Sequence, residues 1–259
     1  MKGPDALLKL LHQATYTAQT IAPLATDALD LASGYALQRL ALKARQAAGE
    51  TLSGWKVAFA SRAAQQRFGL DEPVYGSLTD HMSVQPNTTV ALSRLIQPRL
   101  EIELAIVLGR SLAPGEHSDE DILSAIATVA PAFEIADCRW QRWEFGAGAF
   151  VADNAASGLY CLGPQVHFDP VAHANVAYRL ECSGALCGEG DTLGREDHPL
   201  INLCWLIRRL LVDGQSVQAG QVVLSGALLA PIEILPSTYR LQMFGTELAL
   251  FFTADTGPV

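Results

Sequence analysis

Lysine is scarce in this chain. Of 18 basic residues only four are lysines, Lys2, Lys9, Lys43 and Lys56, so a lysine inside an apolar stretch calls for a reason. Long apolar runs are missing: no segment stays apolar for the roughly 18 residues of a membrane span, which argues against a transmembrane protein. The five cysteines, Cys138, Cys161, Cys182, Cys187 and Cys204, are odd in number and form no C-x-x-C. They read as reduced, mostly buried thiols. The N-terminus lacks the basic, apolar and small-residue succession of a secretory signal, so the expected location is cytoplasmic. Positive charge is in deficit: the net charge is −9, with the acids spread along the chain. That argues against nucleic acid or an anionic membrane as partner. No G-x-G-x-x-G, P-loop, G-x-S-x-G or H-E-x-x-H occurs, so nothing indicates a nucleotide site or a serine-hydrolase triad. Repeats and low-complexity tracts are absent.

What is present is an ordinary globular composition. The 259 residues are 49% hydrophobic and 17% charged, enough to build the core of one domain or two closely packed ones. Residues 4–22 read as a helix interrupted by Pro23, and a second helix runs from about Ala32 to Ala48, stopped by Gly49. Residues 1–50 are thus expected to be a helical wing, and residues 51–259 a continuous catalytic unit.

The most informative stretch is Leu100 to Gly109, LEIELAIVLG. It is apolar on both faces, the pattern of a doubly buried strand. Glu101 and Glu103 stand near its start, and side chains two apart on a strand point the same way. A second apolar stretch, residues 132–136, carries Glu134. Two carboxylates about 6 Å apart repel by roughly 3 kcal/mol at an effective dielectric of about 20, and three together by roughly 8 kcal/mol. A whole domain is stable by only about 5 to 15 kcal/mol. Either protons or a cation must relieve such a trio, and carboxylate oxygens suit a hard ion. The plainer reading has Glu101 and Glu103 on a solvated strand end or paired with Arg99.

Lys56 lies in a short strand, residues 54–59, either as a surface residue on an edge or as a cation for an anionic substrate. Residues 72–76 read as a turn. Asp80 and His81 sit in a loop and form a candidate proton-transfer pair. Ser118-Asp119-Glu120-Asp121 reads as the capping box of a helix with Ile122, Ala125, Ile126 and Val129 inward, ended by Pro131. A strand–helix–strand unit of this kind would bring Glu101, Glu103 and Glu134 to one end of neighbouring strands. Residues 137–148 read as a turn packing Trp140 and Trp143, and residues 152–158 as a small-residue turn. His198 caps a helix closed by Gly214. Residues 222–226 form a buried strand ending in a Ser-Gly turn, and residues 239–252 form a closing hairpin.

Together, GWKVAFAS, QQRFGLDEPVYGSLTD, QPRLEIELAIVLG, PAFEIADCRW, VADNAASGLYCLG, HPLINLCWL and VVLSGAL resemble the 2-keto-4-pentenoate hydratase and 4-oxalocrotonate decarboxylase group of the fumarylacetoacetate hydrolase superfamily. The resemblance covers roughly residues 50 to 230. It implies a mixed α/β fold, a β-roll with an N-terminal helical region, and a homo-oligomer. It implies a divalent ion held by Glu101, Glu103 and Glu134, Mg2+ foremost, with Mn2+ or Ca2+ as alternatives. It places Lys56 in the active site, with Ser157, Ser225 and Gly226 lining the pocket.

The implied reaction is a lyase step on a small 2-oxo or 2-hydroxydienoic acid in aromatic-compound catabolism, with Lys56 and Asp80 or His81 moving protons. Hydration and 4-oxalocrotonate-type decarboxylation both fit. Relatives carry an acid where this chain has His81 before Met82, and a Pro-Gly-Asp near the place of Pro236-Ser237-Thr238. Those departures keep open a third reading, a non-catalytic relative that binds a small acid or supports a catalytic partner.

Overall fold

The protein is described here by a computed structural model covering residues 4–215 and 217–254. Two helices lead, α1 (Pro4–Thr17) and α2 (Leu31–Ala47). There follow β1 (Leu52–Ala58), α3 (Arg62–Arg67), β2 (Val74–Thr79), β3 (Ser83–Val84), β4 (Thr89–Ala91), β5 (Pro98–Leu108), α4 (Asp119–Leu123) and β6 (Ile126–Asp137). Next come α5 (Ala147–Ala152), β7 (Ser157–Leu162), β8 (Val166–His167), β9 (Tyr178–Cys182), β10 (Ala185–Gly190) and α6 (Pro199–Val212). The described chain closes with β11 (Val222–Leu224), β12 (Ile232–Glu233), β13 (Thr238–Met243) and β14 (Thr246–Thr253).

Two sheets carry the fold. The larger runs β2-β1-β11-β5-β6-β7-β3, with β12 beside β5 and β8 beside β6, and the smaller runs β10-β9-β13-β14-β4. Pairing is mixed: β1 with β11 and β3 with β7 are parallel, while β5 with β6 and β6 with β7 are antiparallel. This is the mixed β-roll that the sequence implied.

The long strands β5 and β6 form the centre. Leu100, Ile102, Leu104 and Ile106 on β5, and Val129, Phe133 and Ile135 on β6, are all buried. Full burial of each such side chain stabilises the fold by about 1.5–3 kcal/mol. The helical front end packs α2 onto α5, where a methyl group on Gly34 would sit 2.4 Å from the carbonyl oxygen of Gly148. Only a hydrogen there lets the two backbones meet.

Several expectations about local structure need correction. The helix over 118–130 shrinks to α4, and the rest of that stretch is strand. Ile126, Thr128 and Val129 are β-branched and favour a pleat. Pro131 does not end an element but sits inside β6. Its carbonyl accepts from Gly163 N–H at 2.8 Å, between the ends of β7 and β8, so its missing donor falls where no strand needs one. In consequence β5 and β6 are antiparallel neighbours, not the two strands of a parallel crossover unit. Finally, residues 74–76 begin β2, a strand buried along its whole length, and are not a turn. The reading of β1 as a possible edge also fails, since β1 lies between β2 and β11.

Candidate active site

The register of the larger sheet assembles the site. Glu101 is paired directly with Glu134 across β5 and β6. Glu103, two residues on, points to the same side. Lys56 pairs with Leu224, and Leu224 with Ala105, two residues beyond Glu103. Paired residues share a face, so the lysine joins the three acids although it lies 45 residues or more from each of them in sequence. One carboxylate oxygen from each acid lies within 4.8 Å of the others.

Burial makes this arrangement costly. Glu103, Glu134 and Lys56 are buried, and Glu101 is partly exposed at a cavity wall. Lys56 Nζ is 2.9 Å from Glu134 Oε1, a buried ion pair. Glu103 Oε2 accepts from Gly226 N–H at 2.7 Å. Glu103 Oε1 and Glu134 Oε2 have no hydrogen-bond donor. Burial, then the neighbouring Glu134, pushes Glu101 up to about 7 and Glu103 well above the ordinary carboxylate range. For Lys56, burial works against the ammonium, but Glu134, Glu101 and Glu103 outweigh it and hold the amine charged. Carboxylate oxygens with no donor, converging in a buried place, match what a hard divalent cation needs.

Glu101 and Lys56 open onto a cavity of about 720 Å³, also lined by Ala155, Ala156 and Gly226 among others. Gly226 has φ +99°, and its backbone both lines the cavity and holds Glu103. The adjacent Ser225 is fully buried with no partner for its hydroxyl. Ser157 is buried behind the wall and donates to the Asn154 carbonyl at 2.8 Å, so Ala155 and Ala156 face the cavity instead.

Asp80 and His81 are placed elsewhere. They follow Thr79, which pairs with Leu52, whereas Lys56 pairs with Gly76. Four strand residues separate the two ends of β1, about 13 Å. Asp80 accepts from Thr51 N–H at 2.9 Å, and His81 lies 3.9 Å from Glu50; neither lines the cavity.

Several supporting residues were not legible in the sequence. Asn154 accepts from Ser77 N–H and donates to the Ser77 carbonyl, both at 2.8 Å, stapling the wall loop to β2. Residues 154–156 all have left-handed backbone. Arg139 pairs with Asp153 at 2.6 Å, both buried, and also donates to the carbonyls of Asp137, Asp153 and Ser157. Arg99 makes no ion pair with Glu101; its guanidinium lies over the Trp143 ring, 4.9 Å from the centroid.

The mixed roll and its carboxylate trio define the class of protein. The chain belongs to the fumarylacetoacetate hydrolase family, whose C-terminal domain, Fumarylacetoacetate (FAA) hydrolase C-terminal, matches residues 45–237. It is 36% identical to 2-keto-4-pentenoate hydratase 2 of Dechloromonas aromatica (strain RCB), over 96% of this chain and 97% of that one. It is 35% identical to 2-hydroxyhexa-2,4-dienoate hydratase of Comamonas testosteroni, over 86% of each. Its fold superposes with a TM-score of 0.89 on 4-oxalocrotonate decarboxylase from Pseudomonas putida G7 complexed with magnesium and adipate, at 26% identity, covering 96% of this chain and 97% of the other.

Proposed function

We propose that this protein is a hydro-lyase that adds water to a small 2-hydroxydienoic acid such as 2-hydroxypenta-2,4-dienoate, with a divalent cation as cofactor. One observation carries the reading. Three carboxylates converge beside a buried lysine, and two of their oxygens, Glu103 Oε1 and Glu134 Oε2, lack any donor. The likeness to two hydratases over most of the chain supports it.

Glu101, Glu103 and Glu134 would hold the ion, with Mg2+ preferred for an all-oxygen set. When bound, the cation supplies positive charge that stabilises an enolate of a 2-oxo acid. Gly226 N–H fixes the orientation of Glu103, and Glu134 fixes Lys56. Lys56 presents its ammonium to the cavity, where it holds the substrate carboxylate or passes a proton.

In the overall conversion the dienol loses its hydroxyl proton and its terminal carbon gains one, giving a 2-oxo-3-enoate. Water then adds across the remaining carbon–carbon double bond, with hydroxyl on C4 and hydrogen on C3. We assign Asp80 and His81 no contact with substrate.

The test is the ultraviolet absorbance of 2-hydroxypenta-2,4-dienoate with purified protein. Absorbance should fall with Mg2+ and hold steady after chelation. No turnover of any 2-hydroxydienoate with metal present overturns the reading. A second reading, decarboxylation of a 4-oxalocrotonate-type acid through the same kind of enolate, is favoured by the close superposition on the decarboxylase. Product analysis separates them, as carbon dioxide or as a hydroxylated keto acid.

A further inference from the structure

We infer that the end of the cavity remote from the acids is a subsite for a bulky, flat apolar group. The preferred substrate is then a 2-hydroxydienoic acid bearing an aryl or similar substituent, not the bare five-carbon acid. This rests on the function proposed above and narrows its substrate class.

Size is the first argument. The cavity holds about 720 Å³. A five-carbon acid fills on the order of 150 Å³, or about five waters at roughly 30 Å³ each. Most of the space lies beyond such a substrate.

The chemistry of that space is the second. Four phenylalanines form one continuous wall. Phe59 stacks on Phe68 and on Phe150, each at 4.4 Å between centroids. Phe145 stacks on Phe150 at 4.7 Å and on Phe68 at 5.4 Å, which closes the set. The wall begins at the reacting end, where Lys56 Nζ is 5.9 Å from the Phe150 centroid. Phe150 is buried, but Phe59, Phe68 and Phe145 stay partly exposed inside the cavity. Contiguous apolar surface left wet in a concave site marks a place that a ligand covers.

Backbone strain is the third. Phe59 has φ +54°, a conformation that bulky side chains avoid. Strain of this kind persists where surrounding structure holds a residue in a particular place, commonly a ligand site. The ring so held joins the Lys56 strand to the aromatic wall.

Two measurements on the Mg2+-loaded protein test the inference. The first compares binding of pentanoate and 5-phenylpentanoate, both unreactive, by titration calorimetry. The second compares kcat/KM for 2-hydroxypenta-2,4-dienoate and its 5-phenyl derivative. The phenyl compounds should be favoured by about tenfold or more in each. In Phe68→Leu and Phe145→Leu both preferences should shrink to within about threefold of unity.

Equal binding in the parent protein, or a preference untouched in both variants, overturns the inference. If the phenyl preference in binding appears and depends on these residues while neither dienoate turns over, the subsite stands and the hydratase reading falls. If both dienoates turn over equally and binding shows no preference, the hydratase reading stands and the subsite falls.

Discussion

Glu101 on β5 and Glu134 on β6 are direct cross-strand partners, so the backbone ladder itself sets their separation. Like charges directly opposite on a sheet are destabilising. Here the repulsion is reinforced by a third acid, Glu103, and Lys56 is the buried counter-charge beside them.

Glu103→Gln removes one charge and keeps the shape. Tight binding of Mg2+ by calorimetry should be lost, and Mg2+ should no longer raise the melting temperature. The metal-free variant should melt at or above the parent, because a neutral amide replaces a carboxyl that burial and Glu134 disfavour in its charged form. Parent-like Mg2+ affinity in the variant would remove this carboxylate from the ion's coordination.

The metal-free protein should lose stability as pH rises. Folding lifts Glu101 from 4.5 to about 7, so the folded state holds that proton more tightly than the unfolded chain. The stabilisation is full below about 4.5 and is lost as pH climbs through about 7. Mg2+ competes with those protons, so its affinity should strengthen over the same window. Melting curves at pH 5 and pH 8, with and without Mg2+, check both: the Mg2+ increment should be larger at pH 8.

Lys56→Met strips the ammonium from Glu134 and leaves a buried carboxylate unpaired. Breaking such a pair costs about 3–5 kcal/mol in the metal-free protein, read by urea unfolding. Hydration should fall by about 100-fold or more even with metal bound, if Lys56 holds or protonates substrate. Activity within about threefold of the parent would exclude that role.

Arg139→Leu tests the support behind the wall. The guanidinium satisfies Asp153 and three backbone carbonyls, all in a buried place. Removing it should destabilise by about 3–5 kcal/mol and leave Asp153 free to take up a proton. Asp153→Asn in the same background should recover part of the loss, since an uncharged partner tolerates the apolar neighbour better. A double-mutant cycle on urea unfolding measures the recovery.

The acid trio was legible because strand periodicity puts Glu101 and Glu103 on one side and Glu134 stands in a second apolar run. The closing hairpin and the capped α6 were legible for the same reason, as short-range patterns. The route between the acids was not. Ile126 and Val129 fit a helical spacing as well as a strand, and Pro131 reads as a stop unless the absence of a partner strand at its nitrogen is known. Lys56 was ambiguous because one sequence cannot say whether a strand has neighbours on both edges. Arg139 and Asp153 fall in two separate turns of the sequence, and only the fold shows them facing each other. Asp80 and His81, adjacent in sequence, lie beyond the end of β1 away from Lys56, which no local pattern reveals.

The three-residue strand β11 lies between β1 and β5 and also leads to the amide that steadies Glu103. It follows the other site-bearing strands by more than eighty residues of chain. During synthesis, β1 and β5 must therefore wait, each with an open flank, until residues 222–224 emerge from the ribosome. A polypeptide stopped just short of that point would carry its lysine and every acid of the cluster, yet lack the slat that joins them. Such a fragment should bind no ion tightly and should clump through its two unpaired borders.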